Sequence, residues 1–155
     1  MKKWISGTIF FLTILFIACN NNKDHGSHND KTPKTMEDSL LKDIDDGHII
    51  GMSKMSKLHR TQQAVRKAID SIAGLSPNAQ ENAADYVAKL NELIKELDYA
   101  DFAMEKWMTE YYQDSLLDNK EKRLIYLQDE KMKVDKMKKA ILDGLQKADS
   151  VLKTN

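Results

Sequence analysis

From residue 35 onward, apolar side chains recur at steps of three and four in three long runs. The first joins Leu41, Ile44, His48, Met52, Met55, Leu58/His59, Gln62, Val65, Ile69 and Ile72; the second joins Ala83, Tyr86/Val87, Leu90, Leu93/Ile94, Leu97, Ala100, Met104, Trp107/Met108 and Tyr111. The third joins Leu124, Leu127, Val134, Met137, Ile141, Leu145, Ala148 and Leu152. Such spacing lays one apolar stripe along each of three amphipathic helices. The gaps between the runs carry end signals. Thr35, with Glu37 and Asp38 behind it, suits an N-cap whose first turn is acidic. Gly74 stands where a left-handed residue would close the first helix. Ser76-Pro77 reads as a cap followed by a proline in the first helical position. Ser115 or Asp118 opens the third helix, the second with Glu121 as reciprocal partner. Gly47 and Gly51 each weaken the first helix by about 1 kcal/mol relative to alanine, which predicts a kink or a late start near residue 47.

Three helices of roughly 35 residues joined by short turns must lie antiparallel to their chain neighbours. The expected fold is therefore all-α, an up-down-up three-helix bundle over residues 35–155 with coiled-coil-like packing. Charges on the outer faces fall at ladder spacing: Asp85-Lys89, Glu92-Lys95, Asp129-Lys133, Asp135-Lys139 and Asp143-Lys147. The middle helix is acidic between basic neighbours, with Lys54, Lys57, Arg60, Arg66 and Lys67 on one side and Lys131, Lys133, Lys136, Lys138 and Lys139 on the other.

The first 34 residues follow a different pattern. Lys2 and Lys3 precede an apolar stretch from Ile5 to Ala18, about 15 residues long and short of the roughly 20 that cross a bilayer. That is the layout of a secretory signal covering residues 1–18. Phe16-Ile17-Ala18-Cys19 resembles the lipobox of bacterial lipoproteins, which implies cleavage before Cys19 and lipid on its thiol. Cys19 is the only cysteine in 155 residues. Once acylated it forms no disulfide, so the helical domain must rest on its core. Asn20 to Lys34 is polar and lacks any large apolar residue, which reads as a tether from lipid to domain. Its His25 and His28 fit a polar linker better than a metal site, because two ligands alone do not define one. The expected place is the cell envelope, anchored to a membrane and facing the periplasm or cell surface.

The spacings His48-x3-Met52-x2-Met55 and Met104-x2-Trp107-Met108, with Tyr126-Leu127, make residues 40–152 similar to small bacterial helical lipoproteins labelled viral A-type inclusion protein repeat. That label describes coiled-coil-like sequence. What the resemblance implies is a helical lipoprotein of unassigned function.

Composition excludes some classes. The chain has 24 basic and 24 acidic residues, and loss of Lys2 and Lys3 with the signal leaves a net charge of about −2. Without a basic excess, nucleic acid is not an expected partner. Serine, histidine and aspartate occur, but not in a strand-turn-helix elbow or a glycine-rich phosphate loop, so an enzyme is not expected. Asp101 is the acid nearest an apolar stripe. Two clusters remain. His48, Met52, Met55 and His59 share one stripe of the first helix, with Met104 at a matching level and Met132 on the third helix. Imidazole and thioether suit Cu(I), while the same residues would also serve as a methionine-filled core with histidines at its edges. Trp107, Met108, Tyr111 and Tyr112 either form a docking patch or close one end of the bundle. The expected function is a non-enzymatic, lipid-anchored bundle that acts on a protein partner or on a second copy of itself; the alternative is a copper-binding lipoprotein using His48, Met52, Met55 and Met104.

Overall fold

The computed structural model describes residues 33–153. The signal segment, Cys19 and the tether with His25 and His28 lie outside the described residues. Within them the fold is all-helical, with α1 Met36–Ala73, α2 Pro77–Asn82, α3 Ala84–Glu110 and α4 Lys120–Lys153.

Helix α1 starts as its sequence dictates. The Asp38 N–H donates to Thr35 Oγ1 and the Thr35 N–H donates to Asp38 Oδ2, both at 3.1 Å, which closes a capping box. Its bond to the Thr35 side chain, with backbone N–H groups behind it, holds the Asp38 carboxyl below the usual carboxylate range. The helix then runs unbroken through Gly47 and Gly51, so the late start expected there does not occur. It ends at Gly74 in a right-handed conformation (φ −83°), not the left-handed one that the sequence suggested. The orphan carbonyls of that end are met from elsewhere: Gln80 Nε2 donates to Ala73 O at 2.9 Å and to Leu75 O at 2.8 Å.

The second helix of the sequence reading is two helices. Ala83, at φ −94° and ψ 1°, divides α2 from α3. Helix α2 contains no buried residue, so no packing holds it in line with α3. Ser76 does take the N-cap position before Pro77, but its hydroxyl makes no capping bond. For α4 the cap is neither Ser115 nor Asp118. Asn119 accepts the Lys122 N–H on its Oδ1 at 3.0 Å and the Arg123 N–H on its backbone oxygen at 2.9 Å.

Helices α1, α3 and α4 each pack against the other two. Residue numbers rise together along α1 and α4, from Glu37 beside Arg123 to Lys57 beside Asp149. Along α3 they run the other way, from Arg66 beside Asp98 to His48 beside Trp107. The core is filled by Ile44, Leu58 and Val65 of α1, Leu90, Leu97 and Met104 of α3, and Leu127, Val134 and Ile141 of α4, all with at most 1% exposure. Each such side chain contributes roughly 1.5–3 kcal/mol by leaving water.

The charge pattern of the sequence is spent both between helices and along them. Asp98 takes two bonds from Arg66, and Lys147 reaches Glu96 at 2.7 Å and Glu92 at 3.1 Å. Glu92 thus pairs across the bundle, where the sequence suggested Lys95, and Lys147 pairs with it in place of Asp143. Asp129-Lys133 forms as expected at 2.7 Å, whereas Asp135 binds Lys131 and Lys138, and Lys139 binds Asp143.

Gly47 and Gly51 are buried where α1 approaches its neighbours. A Cβ on Gly47 would stand 2.5 Å from Val134 Cγ1; one on Gly51 would stand 2.6 Å from the Met104 methyl. Their cost in helix propensity is offset by this close approach. Valine in a helix has one favoured rotamer and cannot yield, whereas the end of a methionine can. Gly47→Ala is therefore expected to destabilise by about 1–2 kcal/mol despite better propensity, and Gly51→Ala by less. Gly74→Ala, whose Cβ meets Ser71 O at an ordinary 3.6 Å, should be neutral or stabilise by up to about 1 kcal/mol. Urea midpoints of the three variants check the order; equal stability of Gly47→Ala and Gly74→Ala would show that close approach is not what Gly47 provides.

Candidate functional site

The chemistry of this chain gathers at the end where α1 begins and residues 111–119 join α3 to α4. Its organiser is Arg123, on the first turn of α4 with a side chain only 5% exposed. Arg123 Nε donates to Glu37 Oε1 of α1, while Nη1 donates to the carbonyls of Gln113 at 2.9 Å and Ser115 at 2.7 Å. One guanidinium thus ties helix, loop and helix. Tyr126 adds a second tie, its hydroxyl accepting the Tyr112 N–H at 3.0 Å and donating to Tyr112 O at 3.1 Å. Between these ties the loop turns at Leu116, whose φ of 59° is left-handed in a residue that is not glycine. Such a conformation costs of order 1–2 kcal/mol.

Beneath the loop runs a row of rings. His48 lies tilted on Trp107 at 5.1 Å between centroids, Trp107 stacks on Tyr111 at 4.7 Å, and Tyr111 lies nearly parallel to Tyr126 at 6.4 Å. Trp107 Nε1 donates to Glu130 Oε2 at 2.9 Å, and the other oxygen of that buried carboxylate takes Lys133 Nζ at 2.8 Å. Asp129 and Glu130 together push the Lys133 ammonium well above its usual range. Burial pushes the Tyr111 hydroxyl up to about 12, with Tyr126 and Glu130 adding to it and Arg123 opposing.

On the flank of this row, α3 and α4 part to form a cleft of about 310 Å³. Tyr99, Phe102, Ala103 and Lys106 line it from α3, and Lys133, Lys136 and Met137 from α4, with buried Trp107 and Glu130 among its walls. Tyr99 is 48% and Phe102 58% exposed, large rings left in water beside an apolar cleft.

The residues singled out in the sequence are dispersed. Of the metal candidates, Met104 is fully buried, its methyl beside Gly51, and Met55 packs half-buried on the core. His48 is half-buried, and its Nε2 is buried with no hydrogen-bond partner among the described residues. Met52 and Met132 point into water at 44% and 63% exposure, and His59 is taken by Asp101 at 3.0 Å. The set does not converge, because Gly47 and Gly51 occupy the inward positions and turn Met52 out. Among the described residues, no group of three or more histidine, cysteine or acidic side chains is placed to hold a metal ion. The aromatic quartet also divides: Trp107 is buried and Tyr111 half-buried, while Met108 and Tyr112 are exposed. Asp101 is a partly exposed partner of His59 and Gln62 rather than a buried acid.

Four residues of this end went unremarked in the sequence. Arg123 and Glu130 occupy inward positions of α4, seven apart with Leu127 between them, a spacing that was there to be noticed. Tyr99 and Phe102, three apart on α3, are aromatic residues on a face otherwise polar. No family model, curated protein or solved structure matches this chain.

The raised Tyr111 pKa gives a sign. Folding favours the neutral phenol, so this contribution is whole below pH 10 and is lost as pH rises from the ordinary tyrosine value of 10 toward about 12. Among the five tyrosines, Tyr111 should ionise last in an alkaline phenolate titration. In Tyr111→Phe the last step disappears and stability falls less steeply above pH 10; an unchanged last step would assign it to another ring.

Proposed function

We propose that this chain is a non-enzymatic, lipid-anchored module of the cell envelope, a three-helix up-down-up bundle with α2 as the offset start of its middle helix, that works through protein–protein contact. The observation that carries the proposal is the α3–α4 cleft with Tyr99 and Phe102 exposed beside it. Exposed aromatic anchors at a preformed apolar depression are what hot spots are built from. On the rim Lys106 pairs with Glu110 at 3.0 Å and Lys133 with Asp129 and Glu130, so charge there is nearly balanced and the apolar wall carries the recognition. A cleft between two helices suits a third helix lying along it, so the occupant is an amphipathic helix with a large apolar side chain. Cys19 and the signal before it support the envelope location. A non-catalytic role is supported by the use of the polar residues between α1 and α3, where Arg66, Gln62 and His59 meet Asp98 and Asp101. Those groups join helices.

The test is photocrosslinking in native membranes from a benzophenone side chain at position 102, with one at exposed Gln63 of α1 as control. Position 102 should yield one discrete adduct that position 63 does not, and Tyr99→Asp should lower its yield at least about tenfold, or 1.4 kcal/mol. An adduct of twice the chain's own mass would name a second copy as occupant. Matching patterns from 102 and 63 would remove the cleft from the function.

A further inference from the structure

The loop held by Arg123 and Tyr126 displays apolar side chains to water. Tyr112, Leu117, Ile125 and Met132 are each more than 60% exposed, and Leu116 is 41% exposed. Leu116, Ile125, Tyr126 and Met132, with Lys122 and Asp129, line an open concavity of about 550 Å³. Two costly devices maintain this display: a buried arginine that spends two donors on loop carbonyls, and a leucine held at φ 59°. Neither would be needed for a plain helical connection, and the covering of exposed apolar patches is where such surfaces find their use.

What covers it follows from where the chain enters the fold. Helix α1 starts at this same end, since Glu37 in its first turn is the Arg123 partner. A lipid on Cys19 would tether the bundle by this end, through sixteen steps of chain that span at most about 55 Å. Charge around the loop is nearly balanced, with Lys120 and Lys122 against Asp114, Asp118 and Glu121, and so gives no electrostatic pull. Apolar residues must supply the attraction.

We infer that the α3–α4 loop is a second membrane contact, in which Leu116 and Leu117 enter the interfacial layer of the bilayer that carries the Cys19 lipid. Tyr112 then sits at headgroup depth, where an amphipathic ring is at home. The inference rests on the reading of Cys19 as lipid-bearing. Contact at two points would fix the orientation of the bundle and leave the α3–α4 cleft facing sideways, open to a partner in the aqueous space.

The experiment uses the full acylated protein on phosphatidylcholine vesicles whose acyl chains carry bromine, a short-range quencher of tryptophan. Leu117→Trp places a probe in the loop, Leu142→Trp places one on an exposed position near the other end of α4, and native Trp107, buried in the bundle, sets the baseline. Quenching should reduce the Leu117→Trp emission above baseline about twofold, leave that of Leu142→Trp unchanged, and persist at high salt. Acylated protein that sediments with the vesicles while Leu117→Trp is unquenched overturns the loop contact and leaves the anchor standing. Absence of an acyl group by mass overturns the anchor and the inference with it. Shielding of Leu117→Trp that follows protein concentration and occurs without vesicles would assign the patch to a second copy, which also overturns it.

Discussion

A buried guanidinium is expensive to place, and Arg123 is the group on which this end of the molecule depends. Its cost is offset only because its donors are used: one ionised partner from α1 and two backbone carbonyls from the loop. Those carbonyls need donors as well, for the loop lacks a helix of its own to satisfy them. The start of α1, the connection between α3 and α4, and the first turn of α4 are thereby one structural unit. The strained backbone at Leu116 persists inside it, and the row from His48 to Tyr126 lies against it.

Much of the rest was legible because helices announce themselves by period. The Thr35 N-cap, the Ser76-Pro77 boundary and the buried stripe from Leu90 to Trp107 are local or periodic, and the structure has them as the sequence suggests. What was not legible depends on neighbours. Gly47 and Gly51 read as breakers because a stripe is sought among side chains, and glycine has none to mark it; only the proximity of Val134 and Met104 shows that they mark the face of closest approach. The same error pushed Met52 inward on paper, and the proposed methionine-histidine set with it. Arg123 and Glu130 fall on the stripe by spacing but read as solvent-facing by charge, because the bonds that admit them come from residues of other elements. At Gly74 a left-handed residue is not needed: from a right-handed Gly74 the Gly74 and Leu75 N–H groups reach Asp70 O and Ile72 O, and Gln80 takes Ala73 O.

Two surfaces gather exposed apolar side chains, Tyr99 and Phe102 at the cleft and Tyr112, Leu116, Leu117, Ile125 and Met132 at the loop. The α3–α4 cleft is rimmed by lysine–carboxylate pairs and backed by a buried ring and carboxylate. The loop is nearly neutral, held from within, and located where the chain arrives from Cys19. Inside the bundle, the apolar core and glycine-mediated contact fix the frame on which both are carried, with cross-helix ion pairs on its surface.

Hydrogen exchange of Arg123→Met against the parent protein tests most directly whether one buried arginine organises this end. Methionine keeps volume and removes every donor, and the loop amides of Ser115 and Asn119, bonded to Tyr112 O and Leu116 O, report the loop itself. The account predicts that both lose protection to near the level of open chain while amides around Leu97 and Ile141 in the core stay protected. Retained protection at Ser115 and Asn119 would contradict it, since the loop would then hold its shape without the group said to hold it.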